Sequence, residues 1–321
     1  MSDPISITLE SVNLSRDVGE IKQAVSGALV NDQGLVGDAH AGPWHRQVSL
    51  LSQSSVERFS RQLDRKITPG EFAENITLSG IDYGQYALLD RLRFGSVELE
   101  VTQLGKACHG SGCAIFTEVG ACVMPTEGVF ARVVHGGSLR PGLQGSWHQH
   151  VLPVHVISMS DRAASGSYED LSGAHLENQL RAFFGGGPWR ASVEREVLPD
   201  DPEQLELALD DTAAHAVIFT TGGTGIGPRD ITPEVVTTWC DKLIPGLMEG
   251  IRVKYGMQTP QAWLSRSVAG IKGRRVIFAL PGSLKAVKEY LGEIELVLSH
   301  LLLMLHGIDA HEHPPARAIV D

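Results

Sequence analysis

The sequence predicts two domains, a mostly-β domain followed by a three-layer α/β domain with a mainly parallel sheet. The chain has 321 residues, and length alone favours about two domains. Up to residue 147, short apolar segments are separated by Gly and Pro, as in a series of short strands. From residue 153 onward, strand-like and helix-like segments alternate, which is typical of a parallel sheet covered by helices.

The N-terminal domain is predicted to be a barrel or a sandwich. Residues 97–102 alternate apolar and charged side chains, the pattern of a strand with one face in water. Residues 48–51, 87–89 and 129–134 are further short strand candidates. Only residues 54–63 have the pattern of a helix.

The C-terminal domain has strand candidates at residues 154–159, 193–198, 216–220 and 276–280. Polar or glycine-rich residues follow each of them directly. Since ligands of open α/β sheets bind outside the carboxyl ends of the strands, we expect these loops to meet at one edge of the sheet. The last helix is predicted to begin at Ser283. Its apolar stripe is typical of a helix that packs on a core or on another subunit, and consists of Leu284, Val287, Leu291, Ile294, Leu298, Leu301 and Leu305.

The boundary between the domains is placed between residues 148 and 149, so that the domains are residues 1–148 and 149–321. His148 and His150, in this junction, are interpreted as linker residues rather than metal ligands. The formal net charge of -11 argues against a nucleic-acid partner. The chain begins without a signal-peptide pattern and has no apolar run of membrane-spanning length, so a cytoplasmic protein is expected.

A glycine-rich turn follows the strand candidate at residues 216–220. Gly222, Gly223, Gly225 and Gly227 have no Cβ, so backbone N–H groups there can approach a phosphate closely. Thr232 is a candidate N-cap, so a helix dipole would add to the same anion site. The turn is neither a Walker loop nor a good dinucleotide fingerprint. On its own, it fits a tight turn with close packing equally well.

Two carboxylates from separate loops are the candidate Mg²⁺ ligands, Asp230 and either Asp200 or Asp201. Mg²⁺ prefers oxygen ligands and shares them with phosphates, and Arg229 is placed to contact the same phosphate oxygens. Phosphoryl-type transfer depends mainly on positioning and charge stabilisation, so no protein nucleophile is required. Four later cations are candidates for a second anionic substrate or are plain surface charges: Lys254, Arg266, Lys272 and Arg274.

Cys108 is the candidate reactive group of the N-terminal domain. It is flanked by Lys106 and His109, and cations beside a thiol lower its pKa and favour the thiolate that binds soft metals or carries sulfur. A zinc site made of Cys108, His109, Cys113 and Cys122 is the alternative, although the spacing lacks paired Cys-x-x-Cys motifs. Cys113 and Cys122 are interpreted as buried thiols.

The N-terminal half resembles the MOSC domain, named for the C-terminal part of molybdenum-cofactor sulfurases. The resemblance covers nearly all of residues 1–147 and implies a closed β-barrel. It also implies that Cys108 contacts a molybdenum or tungsten cofactor or passes sulfur. The matching motifs are Gly37-Asp38-Ala39-His40, Arg46 to Leu51, Phe72 to Ile76 and Gly105 to His109.

Residues 152 to about 312 resemble the MogA/MoaB family of molybdopterin adenylyltransferases. The motifs occur in the family's order: Ser160-Asp161-Arg162-Ala163 with Gly166, Tyr168, Asp170 and Gly173; Thr221 to Gly225 with Arg229-Asp230 and Thr232-Pro233-Glu234; and Pro281-Gly282-Ser283. Leu284 departs from the proline that the family commonly has after the last motif.

This resemblance implies Mg²⁺-dependent transfer of AMP from ATP onto the phosphate of molybdopterin. It implies that Asp200 and Asp230 are essential carboxylates that hold Mg²⁺, a homotrimer, and a partner that is a molybdenum-insertion enzyme or a molybdoenzyme client. The residues that it assigns to nucleotide or molybdopterin binding are Ser160, Asp161, Arg162, Thr221, Gly222, Gly223, Thr224, Gly225, Arg229, Pro281, Gly282 and Ser283.

Two other functions fit the same motifs. One is a carrier that binds molybdopterin without catalysis, and the other is hydrolysis of a different nucleotide. The presence of both carboxylates favours the enzyme, because a simple carrier does not need a metal site at the phosphates.

Overall fold

The structure is a computed structural model that describes residues 3–106, 122–214 and 216–309. The chain divides into two compact units. The first holds the described residues up to His150 together with Ile308 and Asp309, and the second spans Val151–Gly307. The predictions for Cys108, His109 and Cys113 lie outside the described residues.

The first unit is a closed β-barrel. Of the two predicted alternatives, the barrel is therefore confirmed and the sandwich is wrong. Its strand order is β11-β7-β8-β9-β5-β6-β1, and β1 pairs back to β11. All neighbours that pair within this ring are antiparallel except β5 and β6. The ring strands are β1 (Ile5–Leu14), β5 (Val48–Ser52), β6 (Ile76–Ser79), β7 (Arg91–Phe94), β8 (Val97–Leu104), β9 (Val129–His135) and β11 (Gln144–His148).

Short elements complete the first unit. Strand β2 (Gln23–Val25) extends the sheet beside β1, and β10 (Gly137–Leu139), β3 (Ala28–Asn31) and β4 (Gly34–Leu35) form a small separate sheet. The predicted helix is confirmed as α1 (Gln53–Gln62). A 3₁₀ turn at Tyr83–Gln85 and the short helix α2 (Met124–Glu127) were not predicted.

Two details of the barrel differ from the sequence prediction. Residues 87–89 form a turn rather than a strand, with Leu89 at a positive φ of 69°. The Asp90 carboxylate accepts a hydrogen bond from Ala87 N, which stabilises that turn. The charged face of β8 is not in water, because arginines of neighbouring strands cover it. Arg91 contacts both Glu98, at 2.7 Å, and Glu100, at 2.9 Å.

Glu74 is a fully buried acid in the first unit, and it predicts a pH dependence of stability. Its Oε1 accepts hydrogen bonds from Gly70 N and Thr77 Oγ1, whereas its Oε2 has no partner in the described part of the chain. Burial raises the pKa of Glu74 to about 7. An acid with a raised pKa binds protons more tightly in the folded state, so its contribution to stability is lost as pH rises.

We therefore expect wild-type protein to lose roughly 2 kcal/mol of unfolding free energy between pH 5 and pH 8 relative to Glu74→Gln. Glutamine keeps the acceptor oxygen but does not titrate. Urea unfolding of both proteins across this range measures the difference. Parallel pH profiles for the two proteins would contradict the assignment.

The second unit has a six-stranded sheet of order β13-β12-β14-β17-β16-β15. The predicted strands are confirmed as β12 (Leu152–Met159), β13 (Ala191–Leu198), β14 (Val217–Thr221) and β17 (Arg275–Leu280), and they are parallel to one another. The antiparallel strands β15 (Lys242–Leu243) and β16 (Val268–Lys272) were missed. Strand β15 is a short exposed edge with too few residues to produce an alternating pattern.

Helices cover both faces of this sheet, as predicted. They are α3 (Asp161–Ala164), α4 (Leu171–Gly185), α5 (Pro202–Asp211), α6 (Thr232–Trp239), α7 (Pro245–Gly256) and α8 (Leu284–Leu305), with a 3₁₀ turn at Pro260–Leu264. Helices α5 and α6 bury Leu205, Leu209 and Val236 against Ile157 and Ile218 of the sheet. Side chains alternate along a strand, so Phe219 and Phe278, stacked 4.9 Å apart, lie on the other face.

The last helix begins as predicted, because the Ser283 side chain accepts a hydrogen bond from Ala286 N. Most of its predicted stripe is buried, including Val287, Leu291 and Leu298. Near the end of the helix, Leu302 is buried instead of Leu301, which lines a shallow groove. Within the described ranges, none of the helices combines the length and apolar character needed to cross a membrane.

Candidate active site

A cavity of about 800 Å³ lies at the carboxyl ends of β12, β13, β14 and β17 in the second unit. All four loops predicted to meet there contribute to its lining. Thr224, Gly225 and Pro281 are predicted binding residues that do not line it. The predicted residues that do are Ser160, Asp161, Arg162, Asp200, Thr221, Gly222, Gly223, Arg229, Asp230, Gly282 and Ser283.

Gly222 and Gly223 both require the glycine conformation. Their φ values are +101° and +62°, in the left-handed region that residues with a Cβ rarely adopt. A Cβ on Gly222 would lie 2.2 Å from the Met159 carbonyl oxygen, and one on Gly223 would lie 2.5 Å from Thr232 Oγ1. The sequence left two interpretations of this turn, an anion site and a tight turn with close packing. The structure is compatible with both, because the glycines permit close packing and also line the cavity.

Thr232 holds this turn to helix α6. The residue was predicted as the N-cap, but that position is taken by Ile231, and Thr232 is the first helical residue. Its hydroxyl donates to the Gly222 carbonyl over 3.0 Å, and its N–H donates to the Gly223 carbonyl over 3.1 Å. The hydroxyl therefore fixes the turn instead of capping the helix.

Asp200 and Asp201 have different environments, which resolves the alternative left by the sequence. Asp201 caps helix α5, accepting hydrogen bonds from Glu203 N and Gln204 N. Asp200 lines the cavity; its N–H donates to Asp161 Oδ1 over 3.1 Å, and its Oδ2 accepts from Asp161 N over 3.4 Å. The metal-ligand prediction therefore rests on Asp200.

The carboxylates of Asp161 and Asp230 lie close enough to Asp200 to affect it through space. Burial is the main cause that raises the pKa of Asp200, and the negative charges of Asp161 and Asp230 raise it further. Arg229 opposes this effect. Carboxylates arranged in this way favour a bound cation, because the cation relieves their mutual repulsion.

Asp230 is positioned by its own loop. Its Oδ2 accepts a hydrogen bond from Gly227 N over 2.8 Å. A Cβ on Gly225 would lie 2.7 Å from the same oxygen, so the glycine makes room for the carboxylate. Arg266 binds the other side of the loop, donating to the carbonyls of Gly225 and Asp230, each over 2.7 Å.

Arg266 was predicted either to contact a second anionic substrate or to be a surface charge, and the structure shows its guanidinium holding this loop. Lys254 pairs with Glu293 and Lys272 pairs with Asp210. Neither lysine lines the cavity, and neither does Arg274. Arg229 does line it, and its exposed guanidinium forms an ion pair with Asp161.

The carboxylate oxygens in this cavity suit a metal ion that a phosphate ligand also coordinates. No cluster of three or more His, Cys, Asp or Glu side chains in the described residues is placed to hold a metal alone. Asp200 and Asp230 supply carboxylate oxygens from two loops of one cavity. Mg²⁺ is commonly held by one or two carboxylates, with phosphate oxygens and water completing its octahedron. The residues therefore fit Mg²⁺ bound together with a phosphate ligand.

Several residues of this site had no role assigned from the sequence. Asp170 caps helix α4 by accepting from Gly173 N, and it also accepts from Ser158 Oγ over 2.6 Å and pairs with Arg195. Tyr168 lines the cavity with a half-exposed ring, and the Arg162 guanidinium lies 5.2 Å from its centroid. Asp170 and Tyr168 stood in the family motif, which was the only signal for them.

Comparison with known proteins extends these observations. Residues 155–300 match the family model described as a probable molybdopterin binding domain, and residues 37–146 match the MOSC domain. The molybdopterin adenylyltransferase of Helicobacter pylori strain J99 is 37% identical over 155 residues, which cover 47% of this chain and 86% of that protein. The chain belongs to the molybdopterin adenylyltransferase family. The predicted resemblances of both halves are confirmed.

Other members of the molybdopterin adenylyltransferase family align over the same half of the chain. The enzyme of Escherichia coli K12 is 34% identical over 165 residues, which cover 50% of this chain and 82% of that protein. Among solved structures, the tungsten cofactor synthesizing protein MoaB from Pyrococcus furiosus is 32% identical with a TM-score of 0.43, covering 49% of this chain and 98% of its own. The adenylyltransferase relatives place the second half of this chain in molybdenum cofactor biosynthesis.

Proposed function

We propose that the second unit transfers AMP from Mg-ATP to the terminal phosphate of molybdopterin and releases pyrophosphate. The observation that carries this proposal is that Asp200, Asp230 and the Gly222-Gly223 turn line one cavity. Its volume of about 800 Å³ lies within the range of ligand sites that enclose a nucleotide-sized molecule. The family relationship supports the reaction type.

Each part of the site has a role in this reaction. The N–H groups of Gly222 and Gly227 already donate to the Leu280 carbonyl and the Asp230 carboxylate, so other backbone N–H groups of the glycine turn bind phosphate oxygens, and the N-terminus of α6 favours negative charge beside them. Asp200 and Asp230 hold Mg²⁺, which when bound neutralises charge on the phosphates. Arg229 leaves Asp161 to contact the phosphate that is being transferred. Thr221, Thr224, Gly225 and Pro281 support these loops, while Ser160, Arg162, Gly282 and Ser283 contact the substrates.

Pyrophosphate release by the full-length protein separates this proposal from its rivals. With Mg-ATP present, pyrophosphate is expected only after molybdopterin is added. A carrier that binds molybdopterin without catalysis would show binding but release no pyrophosphate. Nucleotide hydrolysis would release product with ATP alone.

We propose further that the two activities are divided between residues 1–148 and 149–321, and that the MOSC half handles cofactor, metal or sulfur through Cys108. A molybdenum or tungsten cofactor is the proposed cargo of this half. A molybdenum-insertion enzyme or a molybdoenzyme is the proposed partner that receives it. The match of residues 37–146 to the MOSC domain supports this division.

The Cys108→Ser variant tests the division of labour. We expect unchanged AMP transfer and a lower content of molybdenum, tungsten or cofactor, because the thiolate that binds soft metals is lost. Metal analysis of purified protein and the pyrophosphate assay measure the two effects. Cys240→Ser is the matched control, since burial raises the pKa of that thiol to about 11. Equal metal content in the wild-type protein, Cys108→Ser and Cys240→Ser would contradict the role of Cys108.

The proposed assembly is a homotrimer formed through the second unit. A groove of about 800 Å³ between β15 and the end of α8 is lined mainly by apolar residues, among them Leu247, Ile271 and Leu301. Met304, also in its lining, has 65% of its surface exposed. Apolar surface of this kind is commonly covered by another subunit. Light scattering of the full-length protein measures the number of copies.

A further inference from the structure

Three apolar side chains line the cavity of the second unit without a role in the proposed phosphate and Mg²⁺ site. They are Tyr168, Leu171 and Leu284, here called the apolar wall. Tyr168 has 53% of its surface exposed and Leu171 has 45%, whereas Leu284 is half-buried. Apolar side chains that are exposed inside a cavity are typical of a surface that a ligand covers.

The fold separates the apolar wall from the two carboxylates. Asp200 and Asp230 lie in loops that lead into α5 and α6, and these helices cover one face of the sheet. The apolar wall lies at or just before the starts of α4 and α8, which pack on each other. Side chains alternate along β12, so Ile157 faces α5 while Ser158 faces α4 and donates to Asp170. The cavity therefore has a carboxylate side and an apolar side.

A hydrogen bond joins the two segments that carry the leucines of the apolar wall. Ser172 Oγ donates to the Gly282 carbonyl over 2.8 Å, which links the start of α4 to the loop before α8. Leu171 directly precedes Ser172, and Leu284 follows Gly282 by two residues. The two leucines therefore stand on neighbouring, connected segments of the cavity lining.

The Tyr168 ring is held on one face and free on the other. Its N–H donates to the Arg162 carbonyl over 3.1 Å, and the Arg162 guanidinium lies 5.2 Å from the ring centroid. Among the described residues, no other ring or cation contacts Tyr168, and its hydroxyl has no hydrogen-bond partner there. A ring with a cation over one face leaves the other face for a second planar group.

Asp170 also lines the cavity on the apolar side, but its carboxylate is used within the protein. Its Oδ1 accepts from Gly173 N over 2.8 Å, and its Oδ2 accepts from Ser158 Oγ over 2.6 Å and pairs with Arg195 at 2.7 Å. Three donors, one of them a guanidinium, offset this negative charge. The apolar side therefore suits the uncharged part of a ligand whose charged part lies at the carboxylate side.

We propose that the apolar wall binds the flat heterocyclic ring of a phosphate-bearing substrate, stacked on the face of Tyr168 opposite Arg162. The proposal rests on the proposed function, in which the carboxylate side of the cavity holds Mg²⁺ and phosphate. The adenine base of ATP and the pterin of molybdopterin share this ring chemistry. Leu284 stands where the family commonly has proline, so this part of the apolar wall belongs to this chain.

Calorimetric titration of the full-length protein tests the apolar wall by separating ring from phosphate. The probes are Mg-ATP, Mg-tripolyphosphate, which has no ring, and neopterin, which has no phosphate. Tyr168→Ala is expected to weaken the binding of at least one ring compound about tenfold, the loss of one stacking contact, and to leave Mg-tripolyphosphate binding unchanged. Tyr168→Phe is expected to keep the wild-type affinities, because phenylalanine keeps the stacking face.

A leucine variant supplies a second measurement. Leu284→Ala is expected to weaken binding of the same ring compound about threefold, because less apolar surface covers the ring. Leu296→Ala is the matched control, since Leu296 lies on the same helix, is 78% exposed and does not line the cavity. Tyr83→Ala, in the first unit, is the matched control for the tyrosine. Both controls should keep all three affinities.

The two ring compounds distinguish the two sources of the ring. Weaker binding of Mg-ATP by Tyr168→Ala identifies adenine as the stacked ring, weaker binding of neopterin identifies the pterin, and either result supports the proposal. It is overturned if wild-type protein binds neither ring compound or if Tyr168→Ala binds both with wild-type affinity. Loss of Mg-tripolyphosphate binding by the same factor would also overturn it, because the role of Tyr168 would then be structural.

The outcome for the apolar wall is distinguishable from the outcome for the proposed function. Absence of AMP transfer, with ring binding that depends on Tyr168, would refute the proposed function and leave the apolar wall. AMP transfer by a protein whose ring affinities do not depend on Tyr168 would refute the apolar wall and leave the proposed function.

Discussion

Asp230→Ala is expected to abolish AMP transfer while the protein stays folded. The carboxylate is one of the two proposed to hold Mg²⁺ from different loops of the cavity, and its loss would leave a metal–phosphate complex with a single protein ligand. Removal of one charge-stabilising group from such a site typically lowers the rate by about 10³-fold. Among the described residues, only Gly227 N donates a hydrogen bond to this side chain, so the cost to folding is about 1 kcal/mol.

Pyrophosphate release measures the rate, and urea unfolding measures the stability. Asp201→Ala is the matched control, because Asp201 neighbours Asp200 but is used to cap helix α5. This control should lose about 1 kcal/mol of stability and keep its activity. Wild-type turnover by Asp230→Ala, or equal loss of turnover in both variants, would refute the role assigned to Asp230.

Gly222→Ala is expected to destabilise the second unit and to prevent nucleotide binding. Its φ of +101° is strained for alanine, and the new Cβ would lie 2.2 Å from the Met159 carbonyl oxygen. Backbone strain and overpacking together cost about 3 kcal/mol. The turn must move away from β12 to relieve the clash, and this displaces the Gly222 and Gly223 backbone that lines the cavity.

Thermal unfolding and ATP titration measure these two effects. Gly250→Ala is the control, since Gly250 lies within helix α7 and a Cβ there would meet nothing within 4 Å. Alanine should stabilise that helix by about 0.5 to 1 kcal/mol. If Gly222→Ala kept wild-type stability and affinity, the turn would not be the rigid phosphate site described here.

The sequence predicted which loops meet but not how each residue is used within them. Strand pattern and the glycine turn located the cavity, because the carboxyl ends of parallel strands must share an edge. Sequence alone could not separate Asp200 from Asp201, since both follow β13 and only the start of α5 decides which one caps the helix. Thr232 and Arg266 carried ordinary capping and charge patterns, yet both are used to hold the glycine loop.

The barrel was predicted less completely for a related reason. Alternation along β8 indicated a wet face, but Arg91 of the neighbouring strand β7 and Arg132 of β9, which is distant in sequence, cover Glu98 and Glu100. The turn at residues 87–89 is apolar and buried like a strand, and what distinguishes it is the positive φ of Leu89 and the hydrogen bond from Ala87 N to the Asp90 carboxylate. Likewise, the contacts among Lys22, Asp38 and His40 join residues whose local patterns give no sign of an ion pair.

The most direct test of the central claim is the fate of the α-phosphate of ATP. Full-length protein is incubated with Mg²⁺, molybdopterin and ATP labelled at the α-phosphate, and the products are separated. The label is expected on molybdopterin, with one pyrophosphate released for each molybdopterin modified. In Asp200→Asn, the label is expected to remain in ATP. Label found only in free AMP, or unchanged transfer in Asp200→Asn, would contradict the account.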